Sequence, residues 1–376
     1  MQTSIPCVMM RGGTSRGPFF LLSDLPADPK LRDEVLLAVM GSPHQYQVDG
    51  IGGSISLTSK VAIISRSDQP GADVDYLFAQ VSVNEALVDT KPNCGNMLVG
   101  VGPFAIEAGL VPAKHPETVV RIYNVNTKSL VEAIVQTPRG EVTYAGDAAI
   151  DGVHGTAAPV KINFKSAIGA VTGKLLPTGN PLDVIDGVDV SCVDVAMPTI
   201  FMRAEDFGKT GHETAAELDA DKTLFERMEA IRRKAGVLMG MGDVSKMVVP
   251  KIALLSKARK GGTITSRFFV PDACHKAHAV TGTVCVASAC AIRGTIASQL
   301  APLPPAPQGI IEIEHPSGKI AIDLDVDFTN GRQEMRRAAL IRTARRIFEG
   351  RVLVPEDVWA PGAKSDREIE REAAAA

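Results

Sequence analysis

Short hydrophobic runs in this chain predict strands. They are rich in β-branched and aromatic residues and are bounded by glycine and other turn residues. The clearest of them cover 4–13, 56–67 and 74–83.

Four other segments predict helices. The segments 95–112 and 279–296 are apolar on nearly every side and rich in small residues, which is typical of a buried helix. The segment 212–240 has the apolar spacing of an amphipathic helix, and a last helix is predicted over 333–350. Strands together with helices of these two kinds predict the α+β class.

The two buried helices belong to a loose internal repeat. Residues 81–105 and 267–291 each read as a strand, a loop, a short polar cluster and an apolar helix. The repeat predicts two similar domains, 1–182 and 183–376, each a curved sheet or barrel around its central helix. The last helix could pack on the first domain. Two helix N-termini facing each other across the interdomain cleft would create an anion-binding active site.

The composition of the chain argues against several classes of function. The 376 residues are 45% hydrophobic and 22% charged with a net charge of −3, which is typical of a globular protein without a nucleic-acid surface. No apolar run is long enough to span a membrane, and the N-terminus does not resemble an export signal, so we expect a cytoplasmic protein. A homodimer is possible for an enzyme of this size.

Cofactor and metal sites are not predicted. The six cysteines are scattered without a CxxC pair, which argues against both a disulfide framework and zinc. No phosphate-binding loop or dinucleotide-binding glycine motif occurs in a suitable context. We therefore expect no cofactor and no metal.

Cys94 is either a thiol with a chemical role or a buried core residue. It lies in the sequence Asn93-Cys94-Gly95-Asn96, where the first buried helix begins. The positive end of the helix dipole would favour a thiolate there, and a thiolate can take a proton from carbon. The alternative is a small core residue, since cysteine is among the most buried residue types. That alternative is preferred for Cys7, Cys192, Cys285 and Cys290.

Two polar loops in the first half are candidates for binding a carboxylate. Arg11, Gly13, Thr14 and Ser15 follow the first strand, although a plain turn would have the same composition. Further along, strict alternation would place Ser54, Ser56, Thr58 and Lys60 on one face of a strand. Such a polar face suits the wall of a site, and it equally suits a face in contact with solvent.

The second half of the chain contains a similar set of candidate carboxylate-binding residues. Thr281, Gly282 and Thr283 begin the second buried helix and could bind a second carboxylate. Ser266 and Arg267 lie in a predicted strand that could reach the same site. Nearby His278 is expected to be a loop residue without a catalytic role.

Five motifs taken in order resemble the PrpF family, whose fold is that of diaminopimelate epimerase. The resemblance extends from about residue 5 to residue 355. It implies that Cys94 and Lys60 are the acid/base pair, and Thr281 fits this family better than the racemases that carry a second thiol. The motifs are "MRGGTSRGPFF", "DGIGGSISLTSKVAII", "PNCGNM", "VPKIAL" and "AVTGTVCVA".

The resemblance also implies an activity. It points to a cofactor-independent isomerase or tautomerase that moves a proton on an unsaturated oxo-tricarboxylate. The first candidate is keto–enol tautomerisation of 4-oxalomesaconate in gallate and aromatic-acid catabolism. One alternative is the isomerisation of aconitate or methylaconitate. An alternative of another class is a non-catalytic partner of an iron–sulfur dehydratase.

Overall fold

The chain divides by its internal contacts into two compact units. The computed structural model describes residues 1–164, 168–270, 273–301, 303, 308–329 and 332–361. As far as they are described, Met1–Ser129, Val135–Asp147 and Thr343–Ala376 form the first unit, and Leu130–Ile134 with Ala148–Arg342 form the second. The domain limits 1–182 and 183–376 stay a prediction.

Both units contain runs of consecutive strands together with helices, and the predicted α+β class is confirmed. No helix in the described ranges is long and apolar enough to cross a bilayer. The helices are α1 Pro29–Met40, α2 Gly95–Glu107, α3 Ala215–Asp219, α4 Lys222–Leu238, α5 Val280–Ala291 and α6 Ile296–Leu300. The strands are β1 Gln2–Gly12, β2 Ser15–Leu21, β3 Lys60–Arg66, β4 Val74–Val81, β5 Val88–Asp89, β6 Glu117–Asn124, β7 Ser129–Gln136, β8 Pro159–Phe164, β9 Asp183–Ile185, β10 Val188–Val195, β11 Met197–Arg203, β12 Lys251–Ser256, β13 Ile264–Phe269, β14 Gln308–His315, β15 Gly318–Thr329 and β16 Arg332–Pro355.

In the first unit, α2 is the central helix. It contacts β1, β2, β3, β4 and β6, and its residues from Met97 to Ala105 are all buried. The strands pair in the order β1-β2-β3-β4-β6, with β1–β2 and β3–β4 antiparallel and β2–β3 and β4–β6 parallel. A helix buried on every side must be apolar all round, which explains the composition of 95–107.

The second unit repeats this order of pairing. Strands β10–β11 and β12–β13 are antiparallel, and β11–β12 and β13–β14 are parallel. Its buried helix α5 contacts β10, β11, β14 and β15. The amphipathic helix α4 adds its apolar face to the core formed with β10, β11 and β12.

The helix predicted over 333–350 is wrong, because this segment lies in strand β16. The strand pairs with β15 through residues up to Leu340, and from Ala344 onward it pairs with β1. Alanine, leucine, methionine and arginine are good helix formers, which made the local sequence look helical. Long-range pairing provides the backbone hydrogen bonds instead and overrides that preference.

The helical segment 212–240 is also interrupted. Thr214 and Glu217 form a capping box that starts α3, and the side chain of Asp221 accepts a hydrogen bond from Leu224 N and starts α4. The sequence reading missed α1 altogether. Its signals were present: Asp28 caps the helix, Pro29 opens it, and Gly41 ends it in the left-handed conformation.

Glu314 on β14 holds one loop of the second unit. Its carboxylate accepts hydrogen bonds from the backbone N–H groups of Arg259, Lys260 and Gly262 and from the hydroxyl of Thr265. These bonds to the charged form lower the pKa of Glu314 to about 2 even though burial opposes ionisation.

We expect Glu314→Gln to lower the free energy of unfolding at pH 7 by about 1–2 kcal/mol, because an amide cannot accept all four bonds. The folded-state pKa is depressed, so the stabilisation is present above the unfolded pKa of about 4.3 and is lost as pH falls towards 2. Urea titrations at pH 7 and pH 3 should therefore show the difference shrinking with acid. Glu312→Gln, in an exposed pair with Lys319, is the matched control, and an equal effect at both sites would contradict this role.

Candidate active site

Cys94 is the N-cap of α2. Its backbone is extended, and its Sγ accepts a hydrogen bond from Met97 N at 3.5 Å. The sulfur therefore lies at the N-terminal end of the helix, towards which the positive end of the helix dipole is directed. The predicted helix start at the Asn-Cys-Gly sequence is thus confirmed, with Cys94 itself as the cap.

The other five cysteines differ from Cys94. Cys94 is 9% exposed, and all the others are less exposed. Burial raises the pKa of Cys192, Cys285 and Cys290 to about 12 and that of Cys274 to about 11. These four thiols and that of Cys7 are buried, which confirms the core assignment of Cys7, Cys192, Cys285 and Cys290.

The turn between β1 and β2 packs against the first turn of α2. The side chain of Asn96 donates a hydrogen bond to the Thr14 hydroxyl at 2.9 Å. Gly13 has a φ of +50°, and a Cβ there would lie 2.2 Å from Asn96 Oδ1, so only glycine fits. The guanidinium of Arg11 donates to the carbonyl oxygens of Gly13 and Thr343 and thereby fixes the turn.

Lys60 begins β3 and is 9% exposed. Its Nζ donates to Gln80 Oε1 at 2.5 Å and lies 5.0 Å from the centre of the Phe78 ring. The amide of Gln80 is itself oriented, because its Nε2 donates to the carbonyl oxygens of Ser59 and Ser56. An oriented carbonyl and an aromatic face both stabilise an ammonium group.

One face of β4 connects Lys60 with Cys94. Tyr76, Phe78 and Gln80 alternate along the strand and therefore point to the same side. The Tyr76 hydroxyl donates to the carbonyl oxygen of Cys94 at 3.2 Å, while Phe78 and Gln80 contact Lys60. Burial raises the pKa of Tyr76 well above its usual value, so its hydroxyl stays a donor.

Gly17 on β2 also brings these elements together. A Cβ at Gly17 would lie 1.8 Å from the carbonyl oxygen of Lys60 and 3.2 Å from the Met97 methyl group. The backbone of Lys60 and the first turn of α2 therefore meet at one glycine. Any larger side chain at this position would have to push them apart.

The predicted polar strand face through Ser54, Ser56 and Thr58 is wrong. Strand β3 begins only at Lys60, and the preceding residues form turns in which Ser54 has a φ of +70°. Alternation does not apply to turns. Ser54 N instead donates to the buried side chain of Gln47, whose Nε2 donates to Ser59 Oγ at 2.7 Å.

Three further candidates lie at the start of α2 or beside it. Asn93 accepts a hydrogen bond from the side chain of Asn124 at 2.8 Å, and Gly95 is the first residue of the helix. The buried hydroxyl of Ser15 has no partner among the residues that the structure describes.

Two candidates of the second unit contact His278. Its Nε2 lies 2.9 Å from the Ser266 hydroxyl and its Nδ1 lies 2.9 Å from the Thr283 hydroxyl. Burial lowers the pKa of His278 to about 3, so the imidazole is neutral and holds the start of α5. Gly282 packs against the ring of Phe268.

The other two candidates of this unit have separate contacts. Thr281 donates to Met197 Sδ at 3.9 Å, and Arg267 donates through Nε to the carbonyl oxygen of Glu213. Arg267 and Ser266 are neighbours on β13, so their side chains leave opposite faces of the strand.

Sequence reasoning missed the residues that orient the candidates. The available signal was the alternation of side chains along a predicted strand, which places Tyr76, Phe78 and Gln80 on one face. The pairing of Lys60 with Gln80 could not be predicted, because the register between two strands cannot be derived from the sequence of one strand alone. In the described ranges, no three His, Cys, Asp or Glu side chains cluster in a way that could hold a metal ion.

The first unit therefore offers a thiol at the cap of α2, a lysine side chain with an oriented acceptor, and several fixed donors. A thiolate is a base for a weakly acidic C–H bond, and an ammonium group can stabilise an enolate oxygen or return a proton. A base and a proton donor of this kind are the groups needed to relocate a proton on a substrate that carries a carbonyl group.

Comparison with known proteins identifies a family and related isomerases. The family model described as PrpF protein matches residues 2–355. The chain is 51% identical to a 4-oxalomesaconate tautomerase of Pseudomonas putida, over 95% of this chain and 98% of that protein. It is 57% identical to YbhH of Escherichia coli (strain K12), over 93% of this chain and 99% of that protein, whose name identifies an isomerase without a substrate.

A solved structure is similar as well. The crystal structure of a methylitaconate-delta-isomerase superposes with a TM-score of 0.84 at 43% identity. The match covers 97% of this chain and 99% of that one.

We expect Gln80→Met to lower kcat by about 10- to 100-fold, because losing the hydrogen bond to a charged group costs about 1.5–3 kcal/mol. The Lys60 ammonium would keep the Phe78 ring and lose its oriented acceptor. Gln136→Met, on β7, is the control for glutamine loss, and unchanged kinetics in Gln80→Met would remove Gln80 from the site.

Proposed function

We propose that this chain, which belongs to the PrpF family and is an isomerase, relocates a proton on an unsaturated oxo-tricarboxylate without a cofactor. The first candidate reaction is keto–enol tautomerisation of 4-oxalomesaconate in gallate and aromatic-acid catabolism. The observation that carries the proposal is the single face of β4, which contacts both Cys94 and Lys60. The repeated order of strands and buried helices also supports a fold of the diaminopimelate-epimerase type.

In the proposed reaction, the Cys94 thiolate removes a proton from the carbon next to the carbonyl group. The electron pair of that C–H bond moves towards the carbonyl oxygen and forms a dienolate. Lys60 stabilises the oxygen as an ammonium group and gives it a proton, which completes the enol. Solvent then returns a proton to Lys60 and takes one from Cys94, so atoms and charge balance over the cycle.

The contacts of Lys60 support this division of roles. Gln80 Oε1 can only accept, and the Phe78 ring favours a cation, so both stabilise the protonated side chain. The thiol has the opposite environment, with the Met97 N–H directed at Sγ. Cys94 is therefore the base and Lys60 the acid in the direction of enol formation.

The second candidate is a shift of a carbon–carbon double bond in an aconitate- or methylaconitate-like acid. The similar methylitaconate-delta-isomerase structure supports this alternative. The same two groups would serve, with the proton returned to a different carbon. A non-catalytic partner of an iron–sulfur dehydratase is the remaining alternative, but it would need neither an oriented lysine nor a thiol at a helix cap.

Proton NMR in D2O tests the proposal, with 4-oxalomesaconate and trans-aconitate as parallel substrates. We expect enzyme-dependent exchange of C–H protons and enol formation with 4-oxalomesaconate. Exchange of trans-aconitate alone would favour the second candidate. Exchange of neither substrate would contradict the proposed function.

Cys94→Ser and Lys60→Ala are the variants for the same assay. Each should lose most of the turnover, since a hydroxyl is a far weaker base at neutral pH and an alanine cannot protonate the oxygen. Thermal unfolding should stay close to that of the parent protein. Cys290→Ser, in the buried part of α5, is the matched control for removing a thiol away from a helix cap.

A further inference from the structure

A cavity of about 540 Å³ lies within the second unit. Its walls are the segment after β11, the end of β12 with the loop that follows it, and the end of α6. None of the candidate active-site residues is among its described lining residues. The volume is in the range of pockets that hold small organic ligands, which is about 300–1,000 Å³.

The charged side chains that line this cavity are predominantly positive. Four of them are cations, and one, Glu205, is an anion. An excess of one sign of charge in a cleft raises the local concentration of ligands with the opposite sign. The four cations are Arg203, Lys209, Lys257 and Arg259.

Two of the four cations are already compensated. Arg203 Nη1 lies 2.8 Å from an aspartate oxygen, and Lys209 Nζ lies 2.6 Å from another. The side chains of Lys257 and Arg259 differ, because they have no hydrogen bond or ion pair within the described part of the chain. Two uncompensated charges at one cavity match an anion that carries two negative charges.

The imidazole of His212 lies at the same cavity. Burial lowers the pKa of His212, and the positive charges of Arg259 and Arg267 lower it further, although Glu213 and Glu314 oppose them. The ring is therefore neutral at pH 7. It offers a hydrogen bond to a ligand without adding another charge.

A freely solvated basic loop is the competing explanation for Lys257 and Arg259, since both side chains are exposed. The backbone of this loop is fixed, however, because the Glu314 carboxylate accepts hydrogen bonds from the N–H groups of Arg259, Lys260 and Gly262. A loop that is already ordered loses less conformational entropy when its side chains bind a ligand. The two charges are thus held beside the cavity before any ligand arrives.

We propose that this cavity binds a small organic phosphate. The phosphate group pairs with Lys257 and Arg259, because a guanidinium fork holds two of its oxygens and a lysine ammonium holds a third. The rest of the ligand carries hydroxyl groups, which bind to the carboxylate of Glu205 and the imidazole of His212. The proposal goes beyond the proposed isomerisation and is independent of it, since it uses none of the residues assigned to proton transfer.

Calorimetric titration with glycerol 3-phosphate tests the proposal at a constant ionic strength of about 0.1 M. Charges more than about 10 Å apart are largely screened in this salt, so the titration detects the cavity and excludes the general attraction of a basic loop. We expect one saturable site with a Kd of about 1 mM or tighter. Inorganic phosphate should bind at least about threefold more weakly, because it lacks the part that carries hydroxyl groups.

Single substitutions locate the site. Lys257→Gln and Arg259→Gln should each weaken the Kd for glycerol 3-phosphate by about tenfold, because each removes a hydrogen bond between charged groups. Lys260→Gln is the matched control, since it removes one charge from the same loop at a residue outside the described lining, and it should stay within about twofold of the parent. All three side chains are exposed, so the variants should fold like the parent protein.

The proposal is overturned if the parent protein shows no saturable binding of glycerol 3-phosphate up to about 10 mM. Equal weakening by Lys260→Gln would also overturn it, because the loop would then act only through its total charge. Inorganic phosphate that binds as tightly as glycerol 3-phosphate would overturn the assignment of an organic ligand.

A second anion tests the preference for phosphate. Tricarballylate, a saturated tricarboxylate that cannot be isomerised, should bind equally well to the parent and to Arg259→Gln. If Arg259→Gln weakens the binding of tricarballylate as much as that of glycerol 3-phosphate, the cavity is a general anion site and the assignment of a phosphate is overturned. A failure of the isomerase assays would contradict the proposed function and leave these titrations unaffected.

Discussion

The first unit depends on one face of strand β4. Tyr76, Phe78 and Gln80 lie on that face at alternate positions, and through them the strand contacts both the cap of α2 and the side chain of Lys60. The strand pairs with β3 from Val74 to Gln80, with β6 at Tyr76 and with β5 at Gln80, and this backbone pairing fixes where the three side chains lie. If the thiol lay on a loop and the lysine on an unpaired strand end, no single strand would fix the positions of both.

The close approach of α2 to the hairpin of β1 and β2 supports the same geometry. Gly13 and Gly17 leave space for Asn96 and for the Lys60 carbonyl group, where any Cβ would collide. The helix can then place its N-terminus against the Thr14 turn, and the Met97 N–H points at the Cys94 sulfur. Small residues at two positions of the hairpin thus determine where the helix dipole is directed.

The sequence allowed some of this to be predicted, and the limits have physical causes. The α+β class, the buried helices and the capping position of Cys94 follow from local patterns of apolar and polar residues. Strand β16 could not be recognised, because its partners include Thr3 and Val8, more than 300 positions away, and its own residues favour a helix. The contact of Gln80 with Lys60 depends on strand registration, and the turn at Ser54 depends on a positive φ that serine rarely adopts.

The chemical reactivity of the Cys94 thiol tests the central claim most directly. Iodoacetamide labelling followed over time by peptide mass spectrometry would compare all six cysteines in one folded sample. The thiolate is the reactive form, so Cys94 should be alkylated well before Cys192, Cys285 and Cys290, and tricarballylate should slow its labelling. Labelling of Cys94 no faster than that of the three buried cysteines, with no effect of tricarballylate, would contradict a thiolate base at the cap of α2.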